Sequence, residues 1–410
     1  MNEHFDVLII GGGLAGASFA CSLSGSGLSV AMVEAVPFGA AGQPSYDERT
    51  TALAWGTRRL FEDLGLWRGL TAEAAPIRRL HVSQRGRFGV TRVDCADYGV
   101  EALGYVVPNR VLGRVLSERL TELDDVTMIA PARFDALERD AEGVTVTVRG
   151  GDDAPRTLRA RLLVGADGAR SAVRDALGVE AEVRDYGQRA VVTTVTPGYD
   201  HTDTAYERFL PDGPLALLPR TPETCAVVWA LPEAEATRVT ELTDDDFLAE
   251  LQAAFGHRLG ELRAPGERLT YPLKRLVAAT TVTARAALVG SAGHHLHPAA
   301  AQGFNLAMRD VAVLARELRH AAAAGIDPGD ADVLTVWREA RAADQRRVSD
   351  FTDRIVRLFS NRVPGLGAAR SLGLVGLELL PAVKDDMARR SMGLAAAGTL
   401  SAGQGAGSSK

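Results

Sequence analysis

Cysteine is scarce. The 410-residue chain has three, Cys21, Cys95 and Cys225, far apart and odd in number. Such a set builds neither a disulfide framework nor a metal-ligand spacing, and it suits a reducing compartment. No stretch reaches the roughly 18 uninterrupted apolar residues of a membrane-spanning helix. The opening MNEHFDVLII has no basic leader and no long apolar core, so a secretory signal is not expected. The expected location is cytoplasmic, with at most peripheral contact at the cytoplasmic membrane. Positive charge is not in excess: 46 Lys and Arg stand against 52 Asp and Glu, a net charge of −6. Nothing in that balance attracts nucleic acid or an anionic membrane. Internal repeats are absent. What remains is a globular composition, 46% apolar and 24% charged, at a length that suits about two or three units.

Periodicity orders these units. Phe5–Ile10 reads as a buried strand ended by three glycines, Gly16–Ser24 as a helix and Leu28–Glu34 as a second strand. This is the start of a doubly wound α/β domain. A helix is expected over Thr51–Leu64, stopped by Gly65. Arg78–Val93 alternates about an Arg-Gly-Arg turn as a hairpin, and Asn109–Leu123 is an amphipathic helix. Residues 126–164 carry short strands ending in Leu162–Val164. The stretch 188–231 is strand-rich, with a turn at Pro211–Gly213. Asp244–Phe255 is a short helix, Ala286–Val289 a buried strand, and Phe304–His320 and Val333–Phe359 are long helices. Nucleotide-type elements thus flank a β-rich middle, so one domain is interrupted by another. The tail from Ser401 to Lys410 is rich in Gly, Ser and Ala and is expected to be disordered.

The first strand–helix junction carries Gly11-x-Gly13-x-x-Gly16. Gly11 permits the tight turn, Gly13 lets the backbone approach a pyrophosphate, and Gly16 allows the helix to pack closely on the strand. Leu14 and Ala15 lie on the same helix N-terminus, whose N–H groups and dipole stabilise an anion. Glu34 ends the second strand, where its carboxylate can accept from both ribose hydroxyls and would repel a 2′-phosphate. The motif does not separate NAD from FAD.

Three further segments bear on that choice: Gly165-Ala166-Asp167-Gly168 directly after a strand, Arg110 at the head of the helix 109–123, and Gly290-Ser291-Ala292-Gly293-His294-His295-Leu296-His297-Pro298 followed by Gln302-Gly303-Phe304-Asn305. With these, the sequence resembles the group A FAD-dependent aromatic monooxygenases, and within them the ubiquinone-biosynthesis hydroxylases, nearest to the 2-polyprenyl-6-methoxyphenol hydroxylases. The resemblance spans about residues 4–395. It includes Asp47–Leu53, Gly213–Pro219 and Leu358–Arg362.

The resemblance implies a fold: α/β plus β, a Rossmann-like FAD-binding domain interrupted by a mixed β-sheet substrate domain, with a C-terminal helical segment, like para-hydroxybenzoate hydroxylase. FAD-binding parts would occupy 1–76, 100–180 and 283–330. Substrate-domain parts would occupy 77–99 and 181–282, with helices over 331–395 and a disordered tail over 396–410. Roles follow by position. Gly11, Gly13, Gly16 and Glu34 would hold the ADP half of FAD, and Arg110 would face its phosphates. Asp167 and Gly168 would serve both FAD and the reducing pyridine nucleotide. Ser291 stands where most relatives have Asp, near the ribityl and pyrophosphate. Gln302, Gly303, Phe304 and Asn305, with Pro298 before them, would approach the isoalloxazine ring. The positive end of the helix there could stabilise charge on reduced flavin. Gly293 stands where Ala is common, and Ala301 where Gly is common. The implied reaction is ring hydroxylation of a polyprenylated phenol, with NAD(P)H reducing FAD and O2 entering as a C4a-hydroperoxyflavin. The implied partners are the hydrophobic substrate and other quinone-biosynthesis proteins. No catalytic acid or base is assigned.

Bland readings stand beside these. His294, His295 and His297 lack an HExxH pattern and carboxylate partners, so no metal is expected. His297 is instead a candidate substrate neighbour. Arg49 either contacts a cofactor or is a solvated loop charge. Leu217, Pro219 and Trp229 are candidate substrate contacts on the strands of the middle segment, although Trp229 reads first as core. Pro364–Val383 is either a helix packed on the FAD domain or a surface facing a membrane or partner. Two other functions stay open: the same chemistry on a small soluble phenol, and a non-catalytic flavin-bound scaffold.

Overall fold

A computed structural model describes residues 3–37, 43, 45–150, 154–359, 373, 376 and 378–394. The strand Glu3–Ile10 lies between two parallel neighbours, Val30–Val33 and Arg156–Gly165. Val126–Ile129 extends the sheet on one side and Ala286–Leu288 on the other, both parallel. The apolar run of the first strand has the composition of a strand covered on both faces. Val7 and Ile9 pack into one cluster with Phe19, Met32, Leu116 and Met308. Leu8 and Ile10 pack into another with Val33, Val146 and Leu163. An antiparallel ribbon, Arg133–Arg139 with Val144–Arg149, joins the Arg156–Gly165 strand.

A second eight-stranded sheet runs in the order His294–His295, Leu269–Ala278, Ala181–Val195, Thr224–Pro232, Gly213–Thr221, Thr204–Leu210, Arg79–Gln84, Val90–Asp94. The Arg79–Asp94 hairpin therefore belongs to the sheet of the β-rich middle, through parallel pairing of Arg79–Gln84 with Thr204–Leu210. Helices Glu233–Glu241 and Asp244–Phe255 cover one face: Phe247, Leu251 and Phe255 meet Val191, Leu217, Val227 and Trp229.

One expected element changes type. Thr50–Ala54 is a strand, antiparallel to Gly104–Pro108, and the helix spans only Trp55–Asp63. The β-branched Thr50 and Thr51 favour the extended pairing, which completes a small sheet with Ala75–Ile77. Elsewhere, Asp244–Phe255 and the stripe Met308, Val311, Leu314, Leu318 lie as the periodicity requires. The tail 396–410 and most of 364–383 lie outside the described residues. Of the latter, Leu379, Leu380 and Val383 are exposed.

Helices Gly303–Ala323 and Ala331–Phe359 are joined by a buried polar network. Arg341 Nε donates to Asp310 Oδ1 at 2.6 Å, and Arg341 and Arg309 both reach Asp344. The Trp337 indole donates to the Asp310 carbonyl at 3.0 Å. Removing one partner strands the other charge, whereas removing both does not. Arg341→Met leaves Asp310 without its ion-pair partner while Asp344 keeps Arg309. It is expected to lower stability by about 3–5 kcal/mol, and Arg341→Met with Asp310→Ala by less. Denaturant melts of the two variants check this; an equal loss in both would remove the stranded-charge account.

Candidate FAD and substrate site

The glycine loop is closed by its own backbone. A Cβ on Gly16 would lie 1.9 Å from the Gly11 carbonyl oxygen, so only glycine lets the helix Leu14–Leu23 start there. No side chain caps this helix at Gly13, and its first turn has no acidic residue. Its N-terminus is therefore open to an anion. Glu34 Oε2 accepts from the Gly12 N–H at 2.6 Å and Oε1 from the Val36 N–H at 2.9 Å. The carboxylate thus holds the loop in shape and keeps lone pairs for further donors.

Two loops from distant sequence come to this point. Arg174 Nη1 donates to the carbonyls of Ala169 (3.1 Å) and Ala292 (3.3 Å), tying the turn after Arg156–Gly165 to the Gly290–Ala292 turn. A Cβ on Gly290 would come within 2.9 Å of the Ala15 Cβ, so the latter turn also abuts the first helix. Ser291 lies within it, 3.4 Å from His295 Nδ1. Asp167 accepts from Ser171 Oγ at 2.5 Å and the Val173 N–H at 3.1 Å. Burial raises its pKa, opposed by the Ser171 hydrogen bond. Beside it, Gly168 makes the turn.

Residues 45–49 fold over the glycine loop from another side. Tyr46 Oη donates to the Gly12 carbonyl at 2.8 Å, and Ser45 faces Gly13. Arg49 Nε donates to Asp47 Oδ2 at 2.6 Å, and its guanidinium sits 4.5 Å over the Tyr271 ring. Arg49 is thus held at the seam with the second sheet rather than being a free loop charge. Arg110 is not turned to an open phosphate position in this arrangement: it bridges Glu48 at 2.8 Å and Glu73 at 2.7 Å, which holds the Glu73 carboxyl below its ordinary pKa.

The loop before helix Gly303–Ala323 carries Pro298 on the surface and a buried Gln302. No acidic residue follows Gln302 in the first turn. Phe304 meets Phe61 edge-on at 6.3 Å and packs against the core. Asn305 is 2% exposed and uses its whole amide on protein. Its Nδ2 donates to the Ala52 and Ala301 carbonyls, and its Oδ1 accepts from the Ala54 N–H and Thr57 Oγ1, all at 2.8 Å. It anchors the helix start to the Thr50–Ala54 strand, and its side-chain amide is fully used there. Ala301 has φ +48°, a left-handed conformation that costs a residue with a Cβ; this explains why glycine suits the position. His297 is buried, and burial pulls its pKa down to about 4. Its Nδ1 accepts from the Ala299 N–H at 3.1 Å, which leaves the proton on Nε2. Burial also lowers His294 and His295, the latter with help from Arg49. Among the described residues no group of three or more His, Cys, Asp or Glu is arranged to hold a metal.

The second sheet has two faces of different character. Leu217 and Trp229 belong to the far face, under the helices, and Pro219 pairs with Cys225 of the same cluster. The near face carries Ala190, Val192, Val228, Ala230 and Leu273, with Ala216 in register with Val228. Tyr271, paired with Ala190, reaches Arg49 and Asp47 from this face. The candidate substrate contacts Leu217, Pro219 and Trp229 are therefore core, because strand side chains alternate and these three have the wrong parity.

An uncapped helix N-terminus in a glycine cradle, a Glu34 carboxylate beside it with acceptor capacity left and a second uncapped helix start at Gln302 fit FAD. Residues 4–352 match the FAD binding domain family. The chain belongs to this family. The ubiquinone hydroxylase UbiL of Rhodospirillum rubrum is 39% identical over 388 residues, 95% of this chain and 89% of that protein. The 3-demethoxyubiquinol 3-hydroxylase of Escherichia coli is 32% identical over 397 residues, 96% of this chain and 100% of that protein. The crystal structure of p-nitrophenol 4-monooxygenase PnpA from Pseudomonas putida matches 96% of this chain and 99% of its own at a TM-score of 0.75 and 18% identity, a likeness of fold. The chain is thus an FAD-dependent monooxygenase of the ubiquinone-biosynthesis hydroxylase group with the para-hydroxybenzoate-hydroxylase type of fold, and that chemistry uses NAD(P)H and O2.

Asn305→Ala leaves four partners unsatisfied in a buried site, each at about 1–3 kcal/mol. FAD affinity is expected to fall at least about tenfold (1.4 kcal/mol), read by flavin fluorescence on reconstitution; unchanged affinity would free Asn305 from the positioning role. Ala301→Gly is expected to stabilise the protein by about 1 kcal/mol, seen as a higher melting temperature.

Proposed function

We propose that this chain hydroxylates the aromatic ring of a polyprenylated phenol in ubiquinone biosynthesis. The observation that carries this reading is the near face of the second sheet, a wall of small apolar side chains that meets the Arg49–Tyr271 seam. An aromatic head with an apolar tail suits such a lining. FAD supplies the oxygen-activating chemistry when bound, and NAD(P)H supplies the electrons. In this reading the chain's residues bind and shield. Gly11, Gly13, Leu14, Ala15 and Gly16 receive the pyrophosphate, and Glu34 the ribose. Arg49, Asp167, Gly168, Ser291, Gln302 and Gly303 surround the rest of the cofactor. Arg110 lends its charge to the phosphate side after rearranging from Glu48 and Glu73. The apolar wall excludes water from the reacting carbon. No helix among the described residues is long and apolar enough to cross a membrane. Delivery of the substrate then falls to peripheral membrane contact or to other proteins of the pathway.

The test is purified, FAD-loaded protein given a geranyl-substituted phenol. NAD(P)H oxidation should rise with the phenol, and the product should be one oxygen atom heavier by mass spectrometry. Stimulation by unprenylated phenols alone would favour a small soluble substrate, and bound FAD without any stimulation a scaffold. Val228→Trp should raise KM for the geranyl phenol at least about tenfold, about 1.4 kcal/mol, with FAD content unchanged. Leu217→Ala should instead cost about 2–5 kcal/mol of stability and leave KM in place.

A further inference from the structure

Glu207 lies on the strand Thr204–Leu210, in register with Ala216 on one side and Val82 on the other. Ala216 pairs with Val228, and Val228 with Val192. Side chains in register across a sheet share a face, so Glu207 stands in a row with Val82 on one side and Ala216, Val228 and Val192 on the other. Val192 and Val228 belong to the near-face cluster. On the same strand, Ala205 packs with Ile77, Val106, Leu80 and Leu218. Glu207 is thus a carboxyl set in an apolar wall. It is half-buried, and among the described residues it has neither a hydrogen bond nor an ion pair. A side chain placed there for stability alone would be apolar or paired.

We propose that Glu207 accepts the hydrogen bond of the substrate's phenolic hydroxyl and takes its proton. The phenolic O–H bond breaks, an O–H bond forms on the carboxylate, and the negative charge passes into the ring, which activates the carbons ortho and para to the oxygen. No oxidant enters this step, and the proton returns to the phenolic oxygen after the ring has been oxygenated. The proposal rests on the phenol reading above.

Burial raises the Glu207 pKa to about 7. A base works best with a pKa near the working pH. The titratable groups of the neighbouring strands point away: the His81 ring meets Tyr206, Tyr206 meets Phe255 under the far helices, and Arg208 reaches Gly256. The near side contributes the apolar groups named above together with the uncharged Gln84 and Thr91. The carboxylate form therefore prevails above about pH 7 and is lost below it.

The experiment compares wild type, Glu207→Gln and Glu207→Leu, all FAD-loaded and with FAD content measured first. The probes are 2-geranylphenol and its methyl ether, 2-geranylanisole. Affinity is read from perturbation of the flavin spectrum, turnover from product mass. In wild type, the phenol should bind tighter than the ether, and turnover of the phenol should fall as pH drops through about 7. Glu207→Leu should abolish the preference for the phenol. Glu207→Gln should keep most of the binding, lose about 10²–10⁴-fold in phenol turnover, and lack the acidic limb. Glu207→Gln with wild-type turnover and pH profile, or Glu207→Leu with the phenol preference intact, overturns the proposal. Wild type that prefers the phenol through Glu207 but yields no hydroxylated product keeps the Glu207 assignment and removes the substrate reading.

Discussion

Three strands drawn from residues 3–10, 156–165 and 286–288 run parallel and adjacent, and the rest of the site depends on that constraint. Parallel neighbours end at the same sheet edge. The glycine loop at Gly11–Gly16, the Asp167–Gly168 turn and the Gly290–Ala292 turn must then emerge together, although some 280 residues separate the first from the last. Ligands of open α/β sheets bind at this carboxyl edge because uncapped helix N-termini and free backbone N–H groups collect there. Here the edge is drawn tight by close approach at glycines, Gly16 against the Gly11 carbonyl and Gly290 against Ala15, and by one side chain, Arg174, bridging two carbonyls.

The second sheet has to be held in a fixed pose over that edge. Asn305 fixes the start of the Gly303–Ala323 helix to Thr50–Ala54. The same segment leads back to Arg49 and Asp47, which meet Tyr271 of the second sheet. At the other end, Arg184 and Tyr186 of the long strand both reach Asp353 of the helix Ala331–Phe359, and that helix is locked to Gly303–Ala323 through Asp310 and Arg341. Polar pairs thus set the spacing between two apolar layers, a role suited to directional contacts where dispersion alone would leave orientation free.

Much of this was legible in the sequence. The glycine spacing, the strand before it and the terminal Glu34 marked the cradle because each has a local physical requirement. Helices with a 3.6-residue stripe, such as Asp244–Phe255, declared their bounds. Thr50–Ala54 did not, since an apolar segment of this length suits a short strand or the head of a helix, and only its partner Gly104–Pro108 decides. Asn305 illustrates a different limit. A motif marks the residue as necessary, but whether its amide serves a ligand or the protein depends on four partners, three of them about 250 residues away. Arg174, Tyr46 and Tyr271 left no signal, because each acts on a backbone group or a side chain that the chain order keeps remote.

The second sheet shows why size misleads a reader of strands. Large side chains draw the eye, and Leu217 and Trp229 are large. Yet a face lined with Leu, Phe and Trp is a face that something already fills, here the helices Glu233–Glu241 and Asp244–Phe255. Close packing leaves no room on such a face for a ligand. The opposite parity of the same strands carries small side chains instead, Ala190, Ala216, Val228 and Ala230, and under the proposed function this is the face that meets the ring and its tail. On that face Glu207, a carboxylate without a partner among the described residues, is the residue least explained by folding, and for that reason the one most open to chemistry.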